Sequence, residues 1–213
     1  MNETLSSMRR EYELAGLREA DVSRDPFEQF RRWFEEAKAH DRVEANAMTL
    51  ATADAQGRPS ARTVLLKDMD ERGFVFYTNL RSRKAAELDA NTHAALLFWW
   101  RALERQIRIE GVVEHVPRSM ADAYFAQRPR GSQLGAWASR QSSVIENRDV
   151  LEQRLERIES EYAGRGVPCP PFWGGFRICP HAMEFWQGRA SRLHDRLRFR
   201  RKGDVWHLER LSP

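Results

Sequence analysis

Apolar residues at 27, 30, 33, 34 and 37 recur at three- and four-residue spacing, the period of one helix face. Asp25-Pro26, just ahead of them, offers a capping carboxylate and a proline at the first helical position. The pattern predicts a helix with an aromatic stripe turned inward. From 46 the period drops to two. Segments 47–53, 61–68 and 74–79 read as strands of a meander, joined by turns at 55–60 and 69–73. A short helix is expected over 82–91, then a strand pair over 93–101 and 104–116, where Gln106, Arg108 and Glu110 alternate with Ile107 and Ile109. Segments 118–128, 132–139 and 147–163 read as helices, the last with Val150, Leu151, Leu155, Ile158 and Tyr162 on one side. The Gly/Pro-rich stretch 164–175 breaks it, and strands return at 176–180, 183–188, 197–201 and 204–211. The predicted fold class is mainly β with appended helices (α+β), an antiparallel barrel of about six to eight strands. Strands do not alternate with helices and no glycine-rich strand-to-helix loop occurs, which disfavours a doubly wound fold. Residues 1–24, charged and weakly periodic, read as a mobile N-terminal arm, and 25–213 as a single domain.

Composition narrows the classes. A chain of 213 residues, 41% hydrophobic with seven tryptophans, can bury a core without disulfide or metal staples. The longest apolar run, 94–100, is far short of a membrane span, and the polar N-terminus lacks the apolar region of a secretory signal. Cys169 and Cys179 form no CxxC pair, so a reduced, cytoplasmic, metal-free protein is the expectation. The net charge of +4 is small, but only four of the 35 cations are lysine and 31 are arginine. Arginine suits planar, bidentate contacts to phosphate and carboxylate.

Several segments offer chemistry, each with a plainer alternative. In 62–67, Arg62 and Lys67 lie five apart and face opposite sides of an extended strand. They are either two strand-end cations or holders of two anions. In 77–84, Arg83 and Lys84 open a helix whose N-terminal N–H groups suit a phosphate; a solvated basic turn is the alternative. Tyr124 and Arg128 are four apart on a helix, and Ser132 follows a Pro-Arg-Gly turn; the three converge on a phosphate or cap helix ends. Gln141-Ser142 is a cap or a ligand contact, and Gln106 faces solvent or a heterocycle edge. In 185–196, Arg192 and His194 share a face if the segment is extended, and Trp186 offers a flat wall. Such a pair suits an electron-rich ring and a proton, although His194 also reads as a structural histidine.

Segments 9–17, 62–67, 76–88, 103–111, 124–143, 172–177, 184–196 and 206–213 together resemble, in colinear order, the pyridoxamine/pyridoxine 5′-phosphate oxidase family. The combination of RPRGSQLGAW, QSS and RLHDR carries the resemblance. It implies a homodimeric, FMN-binding split β-barrel that oxidises pyridoxamine or pyridoxine 5′-phosphate to pyridoxal 5′-phosphate. Oxygen is the implied acceptor, giving hydrogen peroxide, and ammonia from the amine. The resemblance assigns FMN to Arg62, Thr63, Val64, Leu65, Leu66, Lys67, Tyr77, Thr78, Arg83, Lys84, Gln106, Gln141, Ser142, Trp186 and Arg196, with both chains contributing to each flavin. It assigns the substrate phosphate to Lys67, Tyr124, Arg128 and Ser132, and the pyridine ring to Arg192, Leu193 and His194, of which Arg192 and His194 are the expected catalytic pair. Arg9 and Tyr12 would close over the substrate as a lid.

Three other readings stay open at the level of sequence. A flavin or deazaflavin reductase has no need of the Tyr124/Arg128/Ser132 clamp. A nucleic-acid-binding barrel is prompted by an isoelectric point near 9.4, but here the charges alternate with acids. A heme- or flavin-storage protein would bind cofactor without turnover.

Overall fold

The computed structural model describes residues 11–40 and 44–213. Helix α1 (Pro26–His40) begins where the Asp25-Pro26 signal places it: Asp25 Oδ1 accepts the Phe27 N–H at 2.9 Å. It buries Phe27, Phe30, Trp33 and Ala37, and Phe34 stacks on Phe30 at its margin. The strands are β1 (Ala47–Ala53), β2 (Pro59–Leu65), β3 (Asp68–Asp70), β4 (Gly73–Asn79), β5 (His93–Trp100), β6 (Arg105–His115), β7 (Trp173–Gln187), β8 (Asp195–Lys202) and β9 (Val205–Arg210). Helix α2 (Arg83–Ala90) follows β4, and α3 (Arg118–Gln127), α4 (Arg130–Ala138) and α5 (Asp149–Glu161) lie between β6 and β7. The hydrogen-bonded strand order is β2-β1-β5-β6-β7-β4-β3, with β8 pairing β7 and β9. The β3–β4, β4–β7, β7–β8 and β8–β9 pairs are antiparallel.

Three expectations need correction. Nine strands stand among the described residues rather than six to eight, and one of them, the three-residue β3, ends inside the expected 69–73 turn. The two strands expected over 176–188 are one. Pro180 does not interrupt β7, because it falls between the part that pairs with β4 (through Ile178) and the part that pairs with β8 (from Ala182). The strand expected over 61–68 ends at Leu65, before Lys67.

The chain divides into two compact units, and β1, β5, β6 and β7 run through both. One unit comprises Met1–Leu50, Ala95–Gly111 and Pro180–Pro213. Its core sets Phe30 edge-on to Phe98 at 5.2 Å, Trp33 to Phe185 at 5.3 Å, and Phe185 to Phe199 at 5.8 Å. The described part of the arm, 11–24, is not helical. Leu17 is buried, its N–H donates to Asp195, and Arg210 pairs with Glu19 at 2.7 Å. The other unit comprises Ala51–Ala94 and Val112–Cys179. In it, Phe125, Leu134, Ala138, Ile158 and Val167 pack with Trp173 into an apolar cluster that carries Tyr77 and Tyr124 on its flank. Helices α3, α4 and α5 thus pack together behind one aromatic wall.

Candidate functional site

That wall faces a cavity of about 780 Å³, within the range of small-molecule sites. The rings of Tyr77, Tyr124 and Trp173 lie nearly parallel, with Tyr77 4.3 Å from Tyr124 and 5.4 Å from Trp173. Arg62, Thr63, Val64 and Leu65 enter from β2, Tyr77 and Thr78 from β4, Lys84 from α2, and Lys67, Arg128, Ser132 and Gln141 from the connections and α4. Four cations line the cavity and, among the described residues, no carboxylate does. Such a surface is built for anions.

Arg128 is the clearest sign. Helix α3 ends at Gln127, so Arg128 is extended rather than helical, yet it lines the same cavity as Tyr124. Its guanidinium lies 4.9 Å from the Trp173 ring centre. Burial pushes its pKa below the ordinary guanidinium value. Its Nη1 is buried and has no hydrogen-bond partner among the described residues. A buried charged donor left unpaired is costly unless a ligand completes it. Lys67 approaches the Tyr124 ring at 6.0 Å, and Ser132 sits in the first turn of α4, which has no side-chain cap. Ser132 therefore caps no helix through its side chain, whereas Arg128 closes α3 through its backbone, its N–H donating to the Phe125 carbonyl at 3.1 Å, and still turns its side chain to the cavity.

A second group of cations is held in place from behind. Arg62 donates through Nη1 to Thr52 at 2.6 Å, and through Nη2 to Ser60 and to Glu87 at 3.1 Å. Glu87, buried on α2, also accepts from Thr52 at 2.5 Å, Ser60 at 2.7 Å and Arg83 at 2.7 Å. Lys84 donates to Gln141 at 3.0 Å and Thr78 at 3.3 Å, and burial followed by the Arg62 charge lowers its pKa. Gln141 is thus a cavity contact rather than a helix cap, since α5 begins only at Asp149. The α2 N-terminus is largely satisfied internally: Ser82 Oγ accepts the Ala85 N–H at 3.4 Å and Ser142 Oγ the Arg83 N–H at 3.2 Å. Arg83 and Ser142 line an adjoining cavity of about 700 Å³, to which Asn79, Ser139 and Gln141 also belong. Leu66 is buried and takes no part in the lining.

The strand-parity argument for Arg62 and Lys67 fails. Because β2 stops at Leu65, both cations line one cavity instead of opposite sides of a wall.

The other candidates lie in the other unit. The segment 190–192 is not extended; it is a tight turn with Ser191 and Arg192 both left-handed (φ 55° and 60°), so alternation does not describe Arg192 and His194. The turn nonetheless keeps them close. Burial, then the Arg192 charge, lowers the His194 pKa from 6.5. The Arg189 N–H donates to His194 Nδ1 at 3.1 Å, which places the proton of the neutral ring on Nε2. His194 is therefore a donor at its free nitrogen. Its ring lies 4.5 Å from that of Trp186, and Tyr12 stands edge-on to both. Leu193 is exposed and Gln106 half-exposed on β6. Arg196 is bound to buried Glu184 at 2.7 Å and to the Ser212 carbonyl at 2.9 Å. Arg9 lies outside the described residues.

Residues 29–162 match the family model described as pyridoxamine 5′-phosphate oxidase, and residues 173–213 that of the pyridoxine 5′-phosphate oxidase C-terminal dimerisation region. The chain belongs to the pyridoxamine 5′-phosphate oxidase family. It is 58% identical to the pyridoxine/pyridoxamine 5′-phosphate oxidase of Rubrobacter xylanophilus, across 98% of this chain and 96% of that protein. It is 57% identical to that of Cupriavidus necator, across 98% and 99%. Among solved structures, PhzG from Burkholderia lata, in complex with tetrahydrophenazine-1-carboxylic acid, superposes with a TM-score of 0.86 at 34% identity, covering 91% of this chain and 95% of that one. The fold is thus the split barrel of this oxidase family, and the chain is an oxidoreductase of vitamin B6 metabolism. Sequence reasoning missed Trp173, which lines the cavity and lies within segment 172–177 but carried no assigned role, and Glu87, which stands outside the lining and was legible as the acid four residues after Arg83 on one helix.

Proposed function

We propose that the chain oxidises pyridoxine 5′-phosphate and pyridoxamine 5′-phosphate to pyridoxal 5′-phosphate using FMN, with oxygen as acceptor, hydrogen peroxide as product and ammonia from the amine. The observation that carries this is the carboxylate-free cavity lining with four cations, one of them holding a buried, unpaired donor. Its donor set suits two phosphate dianions. Arg62 and Lys84, with Thr78 and Gln141, fit the flavin phosphate; Lys67, Tyr124, Arg128 and Ser132 fit that of the substrate. Bound FMN supplies two-electron redox chemistry at a planar ring.

The protein's own task is positioning. Clamping the phosphate provides binding energy remote from the reacting carbon, which holds the pyridine flat and in register. Arg192 orients the ring and balances charge near the reacting carbon. His194, with its Nε2 proton fixed by the Arg189 amide, donates a hydrogen bond and serves as no obligatory base. Trp186 and Arg196, with Gln106, are the flavin contacts of the other unit. The arm, 1–24, acts as a lid through Arg9 and Tyr12, over a functional domain of 25–213. The dimerisation region supports a homodimer in which two copies build each site. With both cysteines free, the cytoplasm is the setting.

The test is anaerobic addition of pyridoxamine 5′-phosphate to the purified yellow protein. Bleaching of the visible flavin band is expected. Arg128→Ala, which removes a charge-assisted hydrogen bond, lowers kcat/KM for the phosphate ester about 10- to 100-fold. A colourless protein, or one bleached by a tetrahydrophenazine carboxylate and not by the phosphate ester, overturns the reading.

A further inference from the structure

Besides Arg189 and Arg210, which bind the Ala15 and Leu17 carbonyls, two carboxylates bind backbone amides of the described part of the arm. Glu104 Oε2 accepts the Glu13 N–H at 3.0 Å and the Leu14 N–H at 3.3 Å, and Asp195 Oδ2 accepts the Leu17 N–H at 3.0 Å. Glu104 is the unusual partner. It is 1% exposed and sits in the left-handed region, φ 52°, at the end of a short 3₁₀ turn, Arg101–Leu103. A side chain is disfavoured there and persists only where its surroundings fix it. They do: the Glu104 carbonyl accepts the Gly188 N–H at 2.8 Å and Gln187 Nε2 at 3.2 Å. Glycine would close this turn without strain, but it would bring no carboxylate.

Gly188 completes the seat. A Cβ there would lie 2.7 Å from Tyr12 Cγ and 3.1 Å from Glu104 Cβ, so the absent side chain is the space that Tyr12 occupies. Seated there, the Tyr12 ring stands 5.8 Å from both Trp186 and His194.

We propose that Glu104 is a positioning residue: its carboxylate binds the Glu13 and Leu14 amides, fixes the arm with Tyr12 over Trp186 and His194, and thereby sets the affinity for the phosphorylated pyridine. The link to affinity rests on the function proposed above; the latch itself does not.

The test uses Glu104→Gly, which suits the left-handed backbone, beside Glu104→Gln, which keeps an acceptor oxygen. Hydrogen exchange of the holoenzyme should show the amides of 13 and 14 opening about tenfold faster in Glu104→Gly, with β6 and β7 unchanged and Glu104→Gln close to wild type. KM for pyridoxine 5′-phosphate should rise about tenfold with kcat within about twofold, and Gly188→Ala, which crowds Tyr12 from the other side, should raise KM likewise. Unchanged exchange at 13 and 14 overturns the latch, as does acceleration spread equally over β6 and β7. A loosened arm with unchanged KM overturns the role in affinity. Wild-type protein that oxidises no pyridoxine phosphate overturns the functional reading instead, and exchange alone then decides the latch.

Discussion

At the scale of single residues, the site depends on groups whose protonation is set by neighbours. Burial alone lifts the Glu87 carboxyl, but hydrogen bonds from Thr52, Ser60 and Arg83 and the Arg62 charge outweigh it and hold its pKa at about 2, down from 4.5. A carboxyl depressed on folding stabilises the native state fully above its unfolded value and loses that contribution as pH falls through the folded one. The stability difference between wild type and Glu87→Gln should therefore be constant above pH 4.5 and shrink between 4.5 and about 2. Urea unfolding at stepped pH measures it, and a difference that stays level through that window refutes the assignment. The chemistry of these residues was legible in the sequence, since guanidinium, hydroxyl and imidazole types announce what they bind. Their orientation was not. Arg62 and Lys67 share a cavity only because β2 ends between them, and His194 is a donor only because a backbone amide five residues away takes its other nitrogen.

At the scale of elements, α1 followed from its cap and stripe, and α2 to α5 stood within a few residues of their predicted spans, because local periodicity and capping decide helices. Strand ends were harder. Whether a strand continues depends on what lies beside it, as Pro180 within β7 and the short β3 both show. The β3–β4 hairpin gives a sharp check. Gly73 has φ +152°, and a Cβ on it would lie 2.0 Å from the Ile178 carbonyl oxygen, a backbone atom of the neighbouring strand that cannot step aside. Gly73→Ala should cost about 3 kcal/mol through overpacking and strain. Gly166→Ala, where a Cβ meets nothing within 4 Å, should be close to neutral. Equal unfolding midpoints for the two variants would contradict this.

At the scale of the whole molecule, the residues proposed for one reaction are divided between two compact units, with the proposed phosphate clamp in one and Arg192 and His194 in the other. Taken with the dimerisation region, this yields a complementation test. Arg128→Ala and Arg192→Ala homodimers, each nearly inactive, should regain about a quarter of wild-type activity after unfolding and refolding together, since half the dimers are mixed and each mixed dimer keeps one intact site. No recovery would show that both residues of each site come from the same copy. The sequence by itself determined the class of the fold, its helices and the inventory of candidate anion-binding side chains, because these rest on periodicity, capping and side-chain chemistry within a few residues. Only the tertiary structure decided that four cations share one cavity, that Glu87 steadies Arg62 and Arg83 from behind, and that Arg128 keeps an unpaired donor. Those facts depend on which distant backbones meet and which polar groups find partners there, and no local pattern encodes that.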